Sequence, residues 1–491
     1  MCKYFFLIFL FPLFTASAGI ASRLNLIPQP TEVTRLEGCW RGSRQIVRET
    51  DSTLPPEGYV LEVTTNGIRI VSSGPAGAFY AEKTLAQLGE DDGSLPCVRI
   101  RDVPAYRWRG YLLDCSRHFM DVATVKQVLD WMADYKFNVF HWHIVDDQGW
   151  RFPTKKYPRL RTVGATRPVP DWIGPGIYDD PGRDTYGPFG YSEEDIREIR
   201  AYASARHIRI VPEMEIPGHS REVVVAYPEF YCENADAKAY TNMNNIGLCL
   251  GKDETIRFFK DCLDEFCELF PDSEVIHIGG DECPRENWKK CPKCQACMRA
   301  LGLRNEDELQ SWCTRQMADY LAKKGRKAIG WNEIVAGGLA SNVVVMCWNE
   351  NAREAANLAM RQGNPVVMTP VEKCYFNMSE KGARNYVPRT GKDLRWAYYF
   401  DPCEKLEVVD RSLVWGGQCC TWTERVIDRK DLEWAAFPLF FATAEALWTG
   451  PDRKPGLEDF KVRAAVHRER LLRTGVNAAR IAFSFKTPIP I

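Results

Sequence analysis

The run Glu274-Val-Ile-His-Ile-Gly-Gly-Asp-Glu282 ends in two adjacent carboxylates placed directly behind two glycines. Within a strand, neighbouring side chains point to opposite faces, so Asp281 and Glu282 could not serve one site there. At a strand's end the chain can turn, and glycine lets it turn tightly enough for both acids to face one cavity. Carboxylates forced together split their pKa values, leaving one protonated near neutrality and the other charged. Such a pair suits cleavage of a glycosidic bond, where one acid protonates the leaving oxygen and a negative charge supports an oxocarbenium-like state. A capped strand end with two solvated acids has the same local sequence, so the weight falls on the rest of the chain.

The elements that must position this pair form a regular series. Strand-like runs at 110–115, 139–145, 208–215, 274–278, 327–331, 343–348, 365–369 and 414–422 alternate with helical stretches at 122–135, 192–205, 254–270, 306–324, 352–362 and 431–447. Ser192 with Asp195 supplies a capping-box-like start to the second helix. Eight strands alternating with helices predict an α/β fold, a (β/α)8 TIM barrel with long loops, among them the Pro- and Gly-rich segment 164–190. Ahead of it, the alternating runs around 59–63 and 67–71, joined by Thr-Thr-Asn-Gly, and the helical spacing of 76–88 predict a small α+β domain. The expected division is 1–18 leader, 19–104 small domain and 105–491 barrel.

Polar groups gather where the predicted strands end: Asp114 to His118, Asp146-Asp147, Glu213 to His219, Asp281-Glu282, Trp331 to Glu333, Trp348, Tyr375 and Trp422 to Glu424. His118, His141, His143, His219 and His277, five of the seven histidines, fall in or next to the same runs. Barrel enzymes work at that rim, so the concentration predicts an enzyme rather than a structural protein.

Composition narrows the partners. Lys plus Arg (64) nearly equals Asp plus Glu (65), so no net field recruits nucleic acid or an anionic membrane. Fifteen tryptophans in a chain that is 12% aromatic offer flat apolar faces of the kind that stack on sugar rings. Lys3, the apolar run 4–14 and Ala16-Ser17-Ala18 have the form of an export signal, too short to span a bilayer, and predict a periplasmic or extracellular protein of bacterial source. Of 18 cysteines, Cys2 would leave with the leader, so an odd number remains. Cys232 and Cys249 bracket a loop and are the first candidates for a disulfide. Cys283, Cys291, Cys294 and Cys297 form a Cys-x7-Cys-x2-Cys-x2-Cys cluster that either binds a structural zinc or forms disulfides. No cofactor and no catalytic metal are expected.

Arg109-Gly-Tyr-Leu-Leu-Asp-Cys-Ser-Arg-His-Phe, Asn138-Val-Phe-His-Trp-His-Ile-Val-Asp-Asp-Gln-Gly-Trp-Arg, Glu213-Met-Glu-Ile-Pro-Gly-His and His277-Ile-Gly-Gly-Asp-Glu resemble the signature blocks of glycoside hydrolase family 20, the exo-acting β-N-acetylhexosaminidases. Gly330-Trp-Asn-Glu and Gly417-Gln-Cys-Cys-Thr-Trp-Thr-Glu resemble its later blocks, and the segment before the barrel is similar to the family's N-terminal domain. The resemblance implies that Glu282 is the general acid and later base. It implies that Asp281 orients the 2-acetamido group, whose own oxygen attacks the anomeric carbon to give an oxazolinium intermediate and retention. Tyr375 would donate to the acetamido oxygen, and Asp146 with His219 would form a relay holding Glu282, Glu215 lying nearby. Arg117 would grip O3 and O4, although an ion pair with Asp114 is an equal reading of that residue. Trp331, Trp348 and Trp422 would wall the sugar, although each taken singly also suits barrel packing, and Glu424 would accept from O4 and O6. Asn377 stands where the family often has an acid, so it either hydrogen-bonds hydroxyls or admits a 6-sulfated N-acetylglucosamine. It also opens the Asn377-Met-Ser sequon, the only one in the chain. The expected partner is an oligosaccharide or glycoconjugate ending in N-acetylhexosamine. Release of a disaccharide by a lacto-N-biosidase-like pocket, or a catalytically inactive sugar-binding barrel, are the alternatives.

Overall fold

The computed structural model describes residues 24–42, 45–89, 93–168, 185–233, 245–377, 394–407 and 410–480. The leader expected at 1–18, much of the loop at 164–190 and the end of the sequon at 377–379 lie outside them. No helix among the described residues is long and apolar enough to cross a membrane.

Eight parallel strands close into a barrel: β6 (Trp108–Asp114), β7 (Val139–His143), β8 (Arg209–Glu213), β9 (Val275–His277), β10 (Lys327–Trp331), β11 (Val343–Cys347), β12 (Val366–Met368) and β13 (Val414–Thr421), which pairs back to β6. The strands are buried on both faces and read as near-continuous apolar runs, Val-Val-Val-Met-Cys in β11 being the clearest. Register lines up Asp114 with His143, His143 with Glu213, and Glu213 with His277 across four successive strands. In-register residues on neighbouring strands point the same way, so this one layer carries polar groups at the C-terminal end of the barrel.

The helices match the expected series, with Ser192 capping Glu193–Ser204 in a reciprocal capping box with Asp195. One departs from it. The stretch read as a single helix over 431–447 is two, Arg429–Ala436 and Leu439–Trp448, because Pro438 between them has no N–H to continue the ladder. A further helix, Leu457–Arg473, was not anticipated.

Ahead of the barrel, β1 (Glu32–Trp40), β2 (Ile46–Thr50), β3 (Tyr59–Thr64), β4 (Gly67–Ser72) and β5 (Leu95–Asp102) form one sheet in the order β1-β5-β3-β4-β2. The helix Pro75–Leu88 covers one face and buries Tyr80, Leu85 and Leu88 against Leu61, Val63 and Ile70. Trp448 from the barrel's outer helices completes this small core.

Candidate active site

Glu213, at the tip of β8, is fully buried among three imidazoles. His277 Nδ1 lies 2.7 Å from Oε1, His141 Nε2 3.0 Å from Oε2, His143 Nδ1 hydrogen-bonds Oε2, and the Trp331 indole N–H donates to Oε1 at 2.9 Å. Burial alone would raise this carboxyl's pKa, but the neighbouring His277, His143 and His141 hold it well below the ordinary range. Burial opposes charge on His143 too, yet Glu213 and Asp146 bring its pKa up to about 10, while burial pushes His141 down to about 4. The layer therefore holds an imidazolium locked between Glu213 and Asp146, whose carboxylate accepts from His143 Nε2 at 2.9 Å.

Beyond β9 the chain reverses hand. Gly279 and Gly280 have φ of 61° and 103°, and Glu282 itself sits at 47°. That left-handed geometry is uncommon for a residue with a side chain and costs of order 1–3 kcal/mol. It brings the two adjacent acids to one side, as the sequence predicted: His219 Nε2 is 3.6 Å from Asp281 Oδ2 and 3.6 Å from Glu282 Oε2. His219, also left-handed with φ 45°, carries its other nitrogen 3.2 Å from Asp146 Oδ1 and 3.0 Å from Asp147 Oδ2. Burial disfavours its cation, but Asp146 and Asp281 win and hold the imidazole's pKa well above its ordinary value. The chain Asp146–His219–Glu282 is thus assembled, with Asp281 and Asp147 attached to it. Glu215 lies beside them, its carboxyl raised well above the ordinary range first by burial and then by the charge of Asp281.

Tyr375, Trp331, Trp348 and Trp422 form an aromatic box. Tyr375 stacks on Trp348 with ring centres 6.0 Å apart and planes 7° from parallel, and Trp422 lies 5.8 Å from Trp331 and 5.9 Å from Tyr375. Trp331 is the innermost, 1% exposed, so it serves as both barrel packing and floor. Trp348 is held by its indole N–H, which donates to Glu333 at 3.0 Å. Burial first, with the charge of Asp281 adding to it, pushes the Tyr375 phenol well above its ordinary range, so it remains a donor. Asp281 Oδ1 is buried and accepts no hydrogen bond among the described residues.

Arg117 reaches Asp146 at 2.6 Å, Asp114 at 3.3 Å and Gln148 at 2.9 Å, and its guanidinium lies 5.0 Å from the centre of the Trp422 ring. The ion pair with Asp114 therefore exists, and Asp146 adds a shorter one. Glu424 follows β13; burial raises its carboxyl, with Arg117 opposing. The Asn377 side-chain carbonyl accepts from the Trp422 backbone N–H at 3.2 Å. Sequence reasoning placed Glu333, Asp147 and Glu213 at strand ends but gave them no role, and it did not name Asn245. Glu333 follows β10 by two residues and burial, then Asp281, raises its carboxyl to about 7. Its position behind a strand end was the available signal. Asn245 had none: from a distant loop its carbonyl accepts the His219 N–H at 2.7 Å and its amide donates to the Glu282 carbonyl at 3.1 Å.

The cysteine expectations need correction. Among the described residues no cysteine is disulfide-bonded, so Cys232 and Cys249 are neighbours but not joined. Their partners are Cys291 and Cys294; Cys283 and Cys297 stand outside that group. Cys283 instead packs against Gly218 and Gly247, because it directly follows the Glu282 turn.

The family model described as glycosyl hydrolase family 20, catalytic domain, matches residues 106–451, and that described as domain 2 of the same family matches residues 28–103. The chain is 37% identical over 445 residues to a beta-hexosaminidase of Porphyromonas gingivalis, covering 87% of this chain and 55% of that protein, so it spans about half of that relative's length. It is 32% identical over 470 residues to a beta-hexosaminidase of Akkermansia muciniphila, covering 94% of this chain and 93% of the relative. Among solved structures, the family 20 exo-beta-N-acetylglucosaminidase from Vibrio harveyi, in complex with N-acetylglucosamine, superposes with a TM-score of 0.83 at 29% identity, covering 93% of this chain and 78% of that one.

Proposed function

The chain belongs to glycosyl hydrolase family 20 and is a glycoside hydrolase, and on that premise we propose that it is an exo-acting retaining β-N-acetylhexosaminidase releasing terminal N-acetylglucosamine or N-acetylgalactosamine. The substrate's acetamido oxygen attacks the anomeric carbon as the glycosidic C–O bond breaks, and Glu282 passes its proton to the leaving oxygen. Water, giving a proton back to Glu282, then opens the oxazolinium ring.

The observation that carries this reading is Asp281 Oδ1. A buried carboxylate oxygen with no donor is rare in a folded chain and calls for an N–H. The substrate's amide N–H supplies one, and the positive charge that grows on the amide is stabilised by the same carboxylate. Tyr375 donates to the acetamido oxygen, and the box of Trp331, Trp348, Tyr375 and Trp422 takes its methyl group and the sugar face. His219, kept cationic by Asp146 and Asp281, orients Glu282. Arg117 and Glu424 bind the ring hydroxyls, Arg117 with Asp146 as its counter-ion. Asn377 brings no negative charge to the O4–O6 side, which supports tolerance of a 6-sulfate.

Aryl glycosides test this directly. The N-acetylglucosaminide should turn over, the glucoside with a plain 2-hydroxyl should not, and Asp281→Asn should lose on the order of 100- to 1,000-fold in kcat/KM. Full activity on the plain glucoside, or an ester trapped on a side chain, would overturn the mechanism. Failure to cleave the 6-sulfated N-acetylglucosaminide would remove the sulfate reading alone.

A further inference from the structure

Four thiols that this chemistry does not use meet behind the catalytic loops. Cys232 follows the short helical turn Pro228–Phe230, Cys249 precedes the helix Asp253–Leu269, and Cys291 and Cys294 open the helix Pro292–Leu301. All four are buried and their sulfurs lie within 4.8 Å of one another. Cys249 is 3.5 Å from Cys294 and 3.7 Å from Cys291, and Cys232 is 3.9 Å from Cys294. Two sulfurs bound to one zinc at about 2.3 Å along tetrahedral directions stand about 3.8 Å apart, whereas bonded sulfurs are about 2.05 Å apart. The three distances straddle the first value and are far from the second.

We propose that Cys232, Cys249, Cys291 and Cys294 bind one structural Zn2+ as a tetrathiolate, tying the segment that ends at Cys249 to the loop that follows Glu282. The inference does not depend on the substrate reading above.

The surrounding chain is shaped for such a site. Cys291-Pro-Lys-Cys294 places Cys291 at the N-cap and Cys294 at the third helical position, with Pro292 starting the helix. The free amides and positive dipole end of that first turn favour thiolates. Opposite it, a Cβ on Gly251 would meet the Lys293 carbonyl carbon at 2.2 Å and the Cys294 nitrogen at 2.3 Å. The two cysteine turns therefore press backbone to backbone, which only glycine permits. An all-sulfur tetrahedral set selects zinc or iron over magnesium or calcium. Binding is redox-neutral: four S–H protons pass to solvent as four Zn–S bonds form. The resulting complex carries a net charge of −2, and Lys252 and Lys293 flank its ligands in sequence.

The clamp bears on catalysis through position. Asn245, four residues before Cys249, holds both the His219 N–H and the Glu282 carbonyl, and the Ser220 N–H donates to the Ile246 carbonyl at 3.1 Å. Trp288, three residues before Cys291, donates its indole N–H to the Leu248 carbonyl at 2.9 Å. Fixing Cys249 to Cys291 and Cys294 thus fixes the strip of chain that positions the general acid.

The test is metal analysis of the full chain, purified without chelators after export and, separately, from the cytoplasm. About one zinc per chain is expected, released by an organomercurial and read with a chromogenic chelator. Its removal should lower Tm by roughly 5–10 °C. Cys232→Ser and Cys291→Ser should lose the zinc, while Cys297→Ser, which the sequence pattern would include but the geometry leaves out, should keep it. If the ligand variants fail to fold, the wild-type zinc content and its release decide. A disulfide between any two of the four in non-reducing peptide mass spectrometry of the exported chain would overturn the proposal. So would iron in place of zinc, four freely titrating thiols without metal, or loss of zinc in Cys297→Ser.

Discussion

Glu333, whose carboxyl feels the charges of Asp281 and Glu282, holds its proton more tightly than a solvated acid does. Burial first, and Asp281 second, raise its carboxyl from 4.5 to about 7. Between those values the folded chain binds a proton that the unfolded chain has released, so stability falls as pH rises from about 4.5 to about 7. Glu333→Gln should remove that slope, leaving the variant more stable than the wild type by about 1–3 kcal/mol above pH 7, as measured by urea unfolding across the pH range. Asp281→Asn, which deletes the second cause, should move the slope to lower pH. A slope unchanged in both variants would show that another group carries it. Activity should share the upper limit, since an ionised Glu333 turns a new negative charge on Asp281 and Glu282.

At the scale of the element, the turn from Gly279 to Glu282 decides whether two adjacent acids can act together. Its first residue is constrained twice, by a φ of 61° and by Glu215, whose Oε2 lies 1.8 Å from where a Cβ would be built. Gly279→Ala should therefore displace Glu215 from beside Asp281, lowering kcat by roughly 10- to 100-fold and stability by about 1–3 kcal/mol. Gly302→Ala is the matched comparison: the same left-handed backbone, φ 65°, with nothing within 4 Å of the added carbon. It should cost about 1 kcal/mol and leave kcat unchanged. Equal kinetics in the two variants would mean that the backbone, and not the approach of Glu215, sets the requirement.

Across the whole molecule, the small sheet is held to the barrel by a buried charge. Asp102 Oδ2, at the end of β5, accepts from Lys136 at 2.9 Å, from the Tyr59 hydroxyl at 2.7 Å and from the Trp448 indole at 3.0 Å. Lys136 is 1% exposed, and burial lowers its pKa in spite of Asp102. Asp102→Ala should destabilise the chain by about 3–5 kcal/mol, because it leaves that ammonium buried and alone. Adding Lys136→Met should restore most of the loss; a double variant no more stable than the single one would show that Asp102 acts through Tyr59 and Trp448 instead. Beside this cluster, Arg109 at the foot of the barrel pairs with the part-buried Glu57 at 2.8 Å, a second tie across the same junction.

Local pattern was enough for the eight barrel strands, most of their helices and the gathering of polar groups at strand ends, since apolar runs, the period of 3.6 and the turn-forming glycines are properties of neighbouring residues. The Asp281-Glu282 pair, His219 and the aromatic residues were legible for the same reason: each follows a strand. What pattern could not supply was pairing across distance. Only closure of the barrel brings His143, Glu213 and His277 into one layer and makes His143 a cation. Only the packing of loops puts Asn245 under Glu282, or gathers Cys232 and Cys249 with Cys291 and Cys294 while leaving Cys283 and Cys297 aside. Spacing along the chain carries no information about which loops will fold over one another, and charge states follow from burial and neighbours that exist only once they have.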